Sequence, residues 1–374
     1  MRSVRSLFLM ECARLGSLHA LEQARPSDPS KGWLGGPPPS ADALGDAAAA
    51  LSLDDLREEL FREYTGLKRN KAIRPLPRGF LVLLLDAHES GASYRRRSAG
   101  SLERTVKTAK GERLQFYYRH VTALLLHAGG EVLLDVEPLR PGEDEIAAAT
   151  RLFKRVAERY PRAFDTVSGD ALYLHPDFCR LVAQRGQYFI AVLKNENRDL
   201  VVDARSLLPL TAPVRWTEDH TDIEAWDLPD LATWPQYGKA VRVVRSIETR
   251  QVRRQLTQKI EVETAEWMWG TNIPSWKAPR RVVVRIGHGR WSIENEGFNE
   301  IVHAWHGDHI YKNHPIAIAA CYLLLFLAYN LFHAFFTRDL KPALRTAYTM
   351  AFFVEKIRAA YYEAILLHAR GRPP

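Results

Sequence analysis

The sequence predicts an α/β fold in which helices cover a mainly apolar sheet, and three observations carry that expectation. Residues 80–85 are apolar at every position, as a central strand covered on both faces requires. Two more strand-like runs, 114–126 and 132–136, follow with Gly129-Gly130 between them as a hairpin turn. The pattern then switches to helix (143–159), strand (163–167), helix (175–185) and strand (188–193).

The remaining elements fall on either side of that block. Residues 1–23 read as a short helix, followed by a Pro/Gly-rich linker through Ser40. A second helix over 53–69 has Asp54 and Asp55 at its start and Lys68 and Arg69 at its end, matching the helix dipole. These make a helical N-terminal region over 1–78, and the first part of the core spans 79–215. A β-rich insertion follows over 216–279, with strands at 241–245 and 260–265. Core helices occupy 280–340, one over 280–299 and one over 315–336, and a helical tail closes the chain over 341–374.

Composition limits the reading. The chain has 374 residues, 46% hydrophobic and 26% charged, which is a globular balance with room for a large core. Its net charge of +8 and pI of about 9.3 are compatible with a polyanionic partner. Cys12, Cys179 and Cys321 are scattered, which argues against a disulfide scaffold or zinc knuckle and for a reducing compartment. The apolar run after Arg5 is cut to four residues by Glu11, too short for an export signal. Residues 315–336 are long enough to span a bilayer, but Asn330 and His333 interrupt them, and we read a buried core helix.

Candidate chemistry lies in three acids. Asp86 follows the strand 80–85, and Asp170 follows the strand 163–167. Glu294 sits one turn after Arg290 on a helical pattern. Asp, Asp and Glu in that order, on two strands and a helix, is how a ribonuclease H-like core assembles a two-metal phosphoryl-transfer site. Carboxylates suit Mg2+, a hard ion that keeps waters for the nucleophile, and two such ions serve in-line displacement. Rival readings stand beside this one. An Asp after a strand is commonly a turn or cap residue. Asp135 and Asp165 compete with the two aspartates, and Glu296 and Glu300 with Glu294. Four basic clusters would suit DNA phosphates: one around Lys68, Arg69 and Lys71, one at Arg95-Arg96-Arg97, one at Arg250, Arg253 and Arg254, and one at Arg280, Arg281 and Arg285. The histidines at 303, 306, 309 and 314 match no common zinc spacing.

From Leu7 to Arg338 the sequence resembles the DDE transposases of bacterial insertion sequences, in the group with a β-strand insertion before the catalytic Glu. Arg290-Trp291-Ser292-Ile293-Glu294-Asn295-Glu296-Gly297-Phe298-Asn299 carries most of the likeness, with Asp308-His309, Ala328-Tyr329-Asn330, Gly169-Asp170-Ala171-Leu172-Tyr173 and Lys194 in support. The resemblance implies metal ligation by Asp86, Asp170 and Glu294, with two Mg2+ ions that Mn2+ replaces. It also implies DNA contacts from Arg290 and Lys194, and base stacking by Trp267 or Trp269 of the insertion, while the basic cluster adds Arg285 as a DNA contact. The partners would be double-stranded DNA, both inverted-repeat ends and target, and other copies of the chain assembled on it; no membrane is involved. The location would be the bacterial cytoplasm, at the nucleoid. Three departures stand out: Ala87 follows the first Asp where Gly is common, Gly287 stands at a Tyr position, and Ile301 at a Lys position. A nuclease without strand transfer and an inactive DNA-binding relic are the alternatives.

Overall fold

The computed structural model describes residues 2–23, 32–109, 111–194, 199–254, 258–291 and 298–369. The chain opens with helices α1 (Arg2–Cys12), α2 (Leu18–Gln23), α3 (Ala41–Ala49) and α4 (Leu53–Arg69). Strands β1 (Val82–Ser93), β2 (Leu102–Thr108), β3 (Gly111–His127) and β4 (Gly130–Pro138) follow. Next come α5 (Glu145–Arg159), β5 (Thr166–Gly169), α6 (Pro176–Gln184), β6 (Tyr188–Val192) and α7 (Asp199–Leu207). The insertion supplies β7 (Val214–Glu218), β8 (Thr221–Leu231), β9 (Val241–Arg253) and β10 (Ile260–Thr271). Helices α8 (Arg280–Trp291), α9 (Asn299–Trp305), α10 (Pro315–Ala334), α11 (Pro342–Ala347) and α12 (Met350–Ala369) complete the order.

One ten-stranded sheet runs β2-β3-β1-β5-β6-β10-β9-β8-β7, with β4 also paired to β3. Within it, β4, β3 and β1 are antiparallel neighbours, and β1, β5 and β6 are parallel. That five-strand arrangement is the ribonuclease H-like core. The insertion does not form a separate sheet, because β10 pairs antiparallel with β6 and so extends the core sheet.

Alternation of side chains along β1 divides the interior into two layers. Leu83 and Leu85 pack with Phe153 of α5 and Phe178 of α6 on one face. Val82 and Leu84 pack on the other with Leu7, Leu44 and Leu60 of the N-terminal helices and Leu323 and Phe326 of α10. Helix α10 is the apolar run that passes for a membrane span by length and composition; fourteen of its side chains are buried in the domain. Asn330, which interrupts that run, has a defined task. Its side chain accepts from Leu133 N–H and donates to Leu133 C=O, both at 2.9 Å, serving the outer backbone of β4 as another strand would. It also donates to Glu63 at 3.2 Å.

Several elements differ from the sequence expectation. The first strand does not stop at Leu85 but continues to Ser93, so Asp86 lies within it. Strand β2 and the first residues of β3 have no counterpart in that expectation, because their polar, two-sided pattern lacks an apolar face. Helix α3 falls just beyond the expected linker; Ser40 caps it, its side chain accepting from Ala43 N–H. The N-terminal helix breaks at Arg14, which has φ of 50°. Residues 341–368 form two helices rather than one, broken at Tyr348, whose backbone is extended. The expected helix 280–299 is seen as α8 to Trp291, and Glu294 lies outside the described residues.

Candidate active site

The sheet register relates the two aspartates. Leu84 of β1 pairs with Ser168 of β5, two residues before Asp86 on β1 and two before Asp170, which lies just past the end of β5 at Gly169. Val192 of β6 follows at the same level, then Trp269 of β10 and Val244 of β9. On the other side Asp86 pairs with Thr122. Val192, Trp269 and Val244 all belong to the layer beneath α8 and α10, and by alternation along β1 Asp86 shares the face of Leu84 in that layer.

Local chemistry shapes each position. Asp86 Oδ1 accepts from Ala87 N–H at 2.9 Å. Asp170 Oδ1 accepts from Leu172 N–H at 2.8 Å and caps a single turn of helix over Ala171–Tyr173. A cap role is thus present, but it occupies one carboxylate oxygen. The turn needs Gly169, where a Cβ would stand 2.4 Å from the Tyr173 ring. Tyr173 in turn donates to Glu145 at 3.0 Å, and Arg119 pairs with Glu145 at 2.7 Å. Burial raises the Glu145 carboxyl above its ordinary range, and the Asp170 charge adds to this against the pull of Arg119.

Helix α8 crosses above this row. At Gly287 a Cβ would lie 2.4 Å from the Trp269 indole, and at Gly289 one would lie 2.7 Å from Leu126 of β3. Beyond the segment 292–297 the chain returns at Phe298, whose ring centroid is 5.1 Å from that of His88. His88 is two places along β1 from Asp86, on the same face. Gly289 of α8 thus approaches β3, and Phe298 approaches β1. Burial lowers the His88 pKa, against the pull of Asp308 and Glu89.

The other sequence candidates divide clearly. Arg290 is in the last turn of α8 and only 8% exposed. Lys194 is exposed, two residues beyond Val192. Arg285 pairs with Glu218 of β7 at 2.6 Å. Trp269 is 1% exposed and fills the core under Gly287, so its ring offers no face to a base. The cause is the insertion's union with the main sheet, which places Trp269 beneath α8 rather than at a surface. Trp267, partly buried, stands beside it with ring centroids 6.4 Å apart. It borders a cavity of about 380 Å³ shared with Arg250 and Thr264.

Rival acids have other partners. Asp135 is 1% exposed and paired with Arg57 and Arg155 at 3.0 and 2.6 Å. Asp165 accepts from Leu81 N–H and Thr166 Oγ1 at the opposite end of β5. Glu300 accepts from Trp305 Nε1–H at 3.1 Å, meets His333 at 3.1 Å and Arg14 at 3.7 Å. Burial works to raise its carboxyl, but His333, Trp305 and Arg14 together hold it below the usual range. Glu296 lies outside the described residues. Among the described residues no three His, Cys, Asp or Glu side chains cluster closely enough to hold a metal.

The departures at Gly287 and Ile301 acquire physical reasons here. Trp269 fills from the sheet the space that a side chain at 287 would need. Ile301 is 2% exposed, and a lysine there would bury its charge.

A mixed sheet of this order, with Asp86 on one parallel strand, Asp170 just past the end of the next and a helix crossing them, fits the ribonuclease H-like class of α/β proteins. The chain belongs to the transposase DDE domain family, whose family model matches residues 78–331. It is thus a transposase that acts on DNA, in a family of metal-dependent DNA-cleaving enzymes. No curated protein matches it.

Proposed function

We propose that the chain binds the terminal inverted repeats of its own mobile element, cuts them by hydrolysis and joins the freed 3′-hydroxyls to target DNA. In the first step water attacks a phosphodiester, and the bond to the 3′-oxygen breaks to leave a 3′-hydroxyl. In the second step that hydroxyl attacks a target phosphodiester, a target 3′-oxygen leaves, and the number of phosphodiester bonds is conserved. The reading is supported by the family match together with the placement of Asp86 on β1 and of Asp170 just past the end of the neighbouring parallel strand β5.

Asp86 on a strand and Asp170 at the turn that follows β5 suit hard divalent ions, and Asp86, Asp170 and Glu294 would hold them. Bound Mg2+, or Mn2+ in its place, would supply a more acidic water and neutralise transition-state charge. Arg290 and Lys194 would position phosphates at either side of the acids, and Arg285 would exchange Glu218 for a phosphate. Trp267 is the insertion aromatic with an accessible neighbouring cavity, which supports base stacking there. We place the chain in the bacterial cytoplasm, acting as a homo-oligomer assembled on DNA.

Calorimetric titration with Mn2+ tests the ligand set without requiring turnover. Wild type binds the ion, and Asp86→Asn and Asp170→Asn each weaken binding at least about tenfold. Unchanged binding in both variants would remove the aspartate pair from the site.

A further inference from the structure

Residues 95–113 carry seven basic and two acidic side chains, so most of the net +8 sits in one short stretch. The stretch belongs to a ribbon. Strand β1 runs past Asp86 to Ser93, and β2 pairs with the first part of β3 from Leu102–Tyr117 out to Thr108–Gly111. Thr122 of β3 is level with Asp86, and Gly111 is eleven residues farther out, which at strand rise is roughly 35 Å. The ribbon therefore projects from the edge of the sheet that carries the aspartates. At its base, Leu102 and Tyr117 line a groove of about 930 Å³ together with Leu172, from the turn that Asp170 caps.

In the other clusters Lys68, Arg69, Lys71 and Arg253 have no ion pair among the described residues, but several arginines of the insertion and of α8 are answered internally. Arg250 pairs with Glu263 at 3.1 Å, Arg254 with Glu261 at 2.7 Å, and Arg281 with Glu218 at 3.2 Å. On the ribbon Arg97 and Arg104 also have acids, Glu103 and Glu89. Exposed Arg95, Arg96 and Arg113 have no ion pair among the described residues, and Arg113 lies 4.3 Å from the centroid of exposed Tyr94. Charges on an edge strand can serve only to prevent edge pairing. Arg95 and Arg96 precede β2 in the connection, where there is no edge to protect.

We propose that this ribbon is a DNA contact, gripping through its phosphates the donor duplex that flanks the cut. The inference rests on the proposed function. It follows from position and charge: the ribbon and the insertion lie on opposite sides of the β1–β5 pair in the sheet, and DNA crossing the aspartates from the insertion emerges beside the ribbon. Arginines without acidic partners, interleaved with tyrosine, suit a sequence-independent hold on the backbone.

The test compares two duplexes from the border of the DNA segment encoding this chain, one with flanking DNA and one trimmed at the cut. Fluorescence anisotropy at several salt concentrations is measured for wild type and for a triple variant, Arg95→Glu, Arg96→Glu and Arg113→Glu. The variant should bind the flanked duplex about tenfold or more weakly, with a shallower salt dependence, and the trimmed duplex as wild type does. An unchanged thermal melt verifies its fold. Equal binding of the flanked duplex by both proteins, or equal losses on both duplexes, would overturn the inference. Wild type that binds both duplexes yet cuts neither with Mg2+ would overturn the proposed function and leave the ribbon comparison standing.

Discussion

Gly287 shows how one residue records the packing of two elements. A glycine in a helix costs about 1 kcal/mol relative to alanine when exposed. Here the sign reverses, because the Trp269 indole occupies the Cβ position. Gly287→Ala should destabilise the protein by about 1–3 kcal/mol through overpacking, read as a lower denaturation midpoint. A neutral or stabilising result would mean that Trp269 does not sit under α8. The sequence displays Gly287 as a departure from a family pattern but cannot supply its cause, which lies in a strand earlier in the chain. The strands that lead to the two aspartates are legible for a different reason. Their strand character is local, and their parallel pairing then follows in the sheet. The burial of Trp269 is not legible, because its surroundings depend on which strand β10 joins, and that is not a local property.

At the scale of elements, α10 and α4 bracket the edge strand β4 through Asn330 and Glu63. Burial pushes the Glu63 carboxyl up to about 8, although the Asn330 hydrogen bond pulls it down. A carboxyl raised in the folded state binds protons more tightly there than in the unfolded chain. Its contribution to stability is therefore fully present below the unfolded pKa, near about 4.3, and is lost as pH rises toward 8. Glu63→Gln should flatten that decline and raise the melting temperature at about pH 8, by the equivalent of about 2 kcal/mol. Parallel pH profiles of wild type and variant would contradict the assignment. The helices themselves are readable from periodicity and capping, and Ser52 does accept from Asp55 N–H at the start of α4. Strand β2 is not readable. A ribbon exposed on both faces has no hydrophobic alternation to report it, only the Val and Thr content of Leu102–Thr108.

Over the whole molecule the N-terminal helices are part of the main core. Leu7, Met10, Leu21 and Leu44 have no exposed surface and share one layer with α8, α10 and β1. Arg14 lies 3.8 Å from the Trp305 ring centroid and reaches Glu300, which ties the first helices to α9, just beyond the segment containing Glu294. A fragment beginning at residue 79 should accordingly expose a large apolar face and fail to give a soluble monomer on gel filtration; a well-folded monomeric fragment would show the helices to be dispensable. The order of strands and helices is enough to reach the ribonuclease H-like core, since each core element has a clear period. The extent of the sheet is not legible in the same way, because edge-to-edge joining of β10 to β6 leaves no mark on either strand alone.

The central claim, that Asp86, Asp170 and Glu294 form one metal site, is tested most directly by cleavage and joining of a DNA fragment carrying the element's ends. The assay compares wild type, Glu294→Gln and Glu300→Gln in the presence of Mg2+, with thermal melts alongside. Loss of several kcal/mol of transition-state stabilisation should cut the rate of Glu294→Gln by on the order of 10³ or more with its fold intact. Glu300→Gln, which disturbs Arg14, Trp305 and His333, should melt earlier and still cleave below its melting range. Cleavage by Glu294→Gln at the wild-type rate would contradict the account.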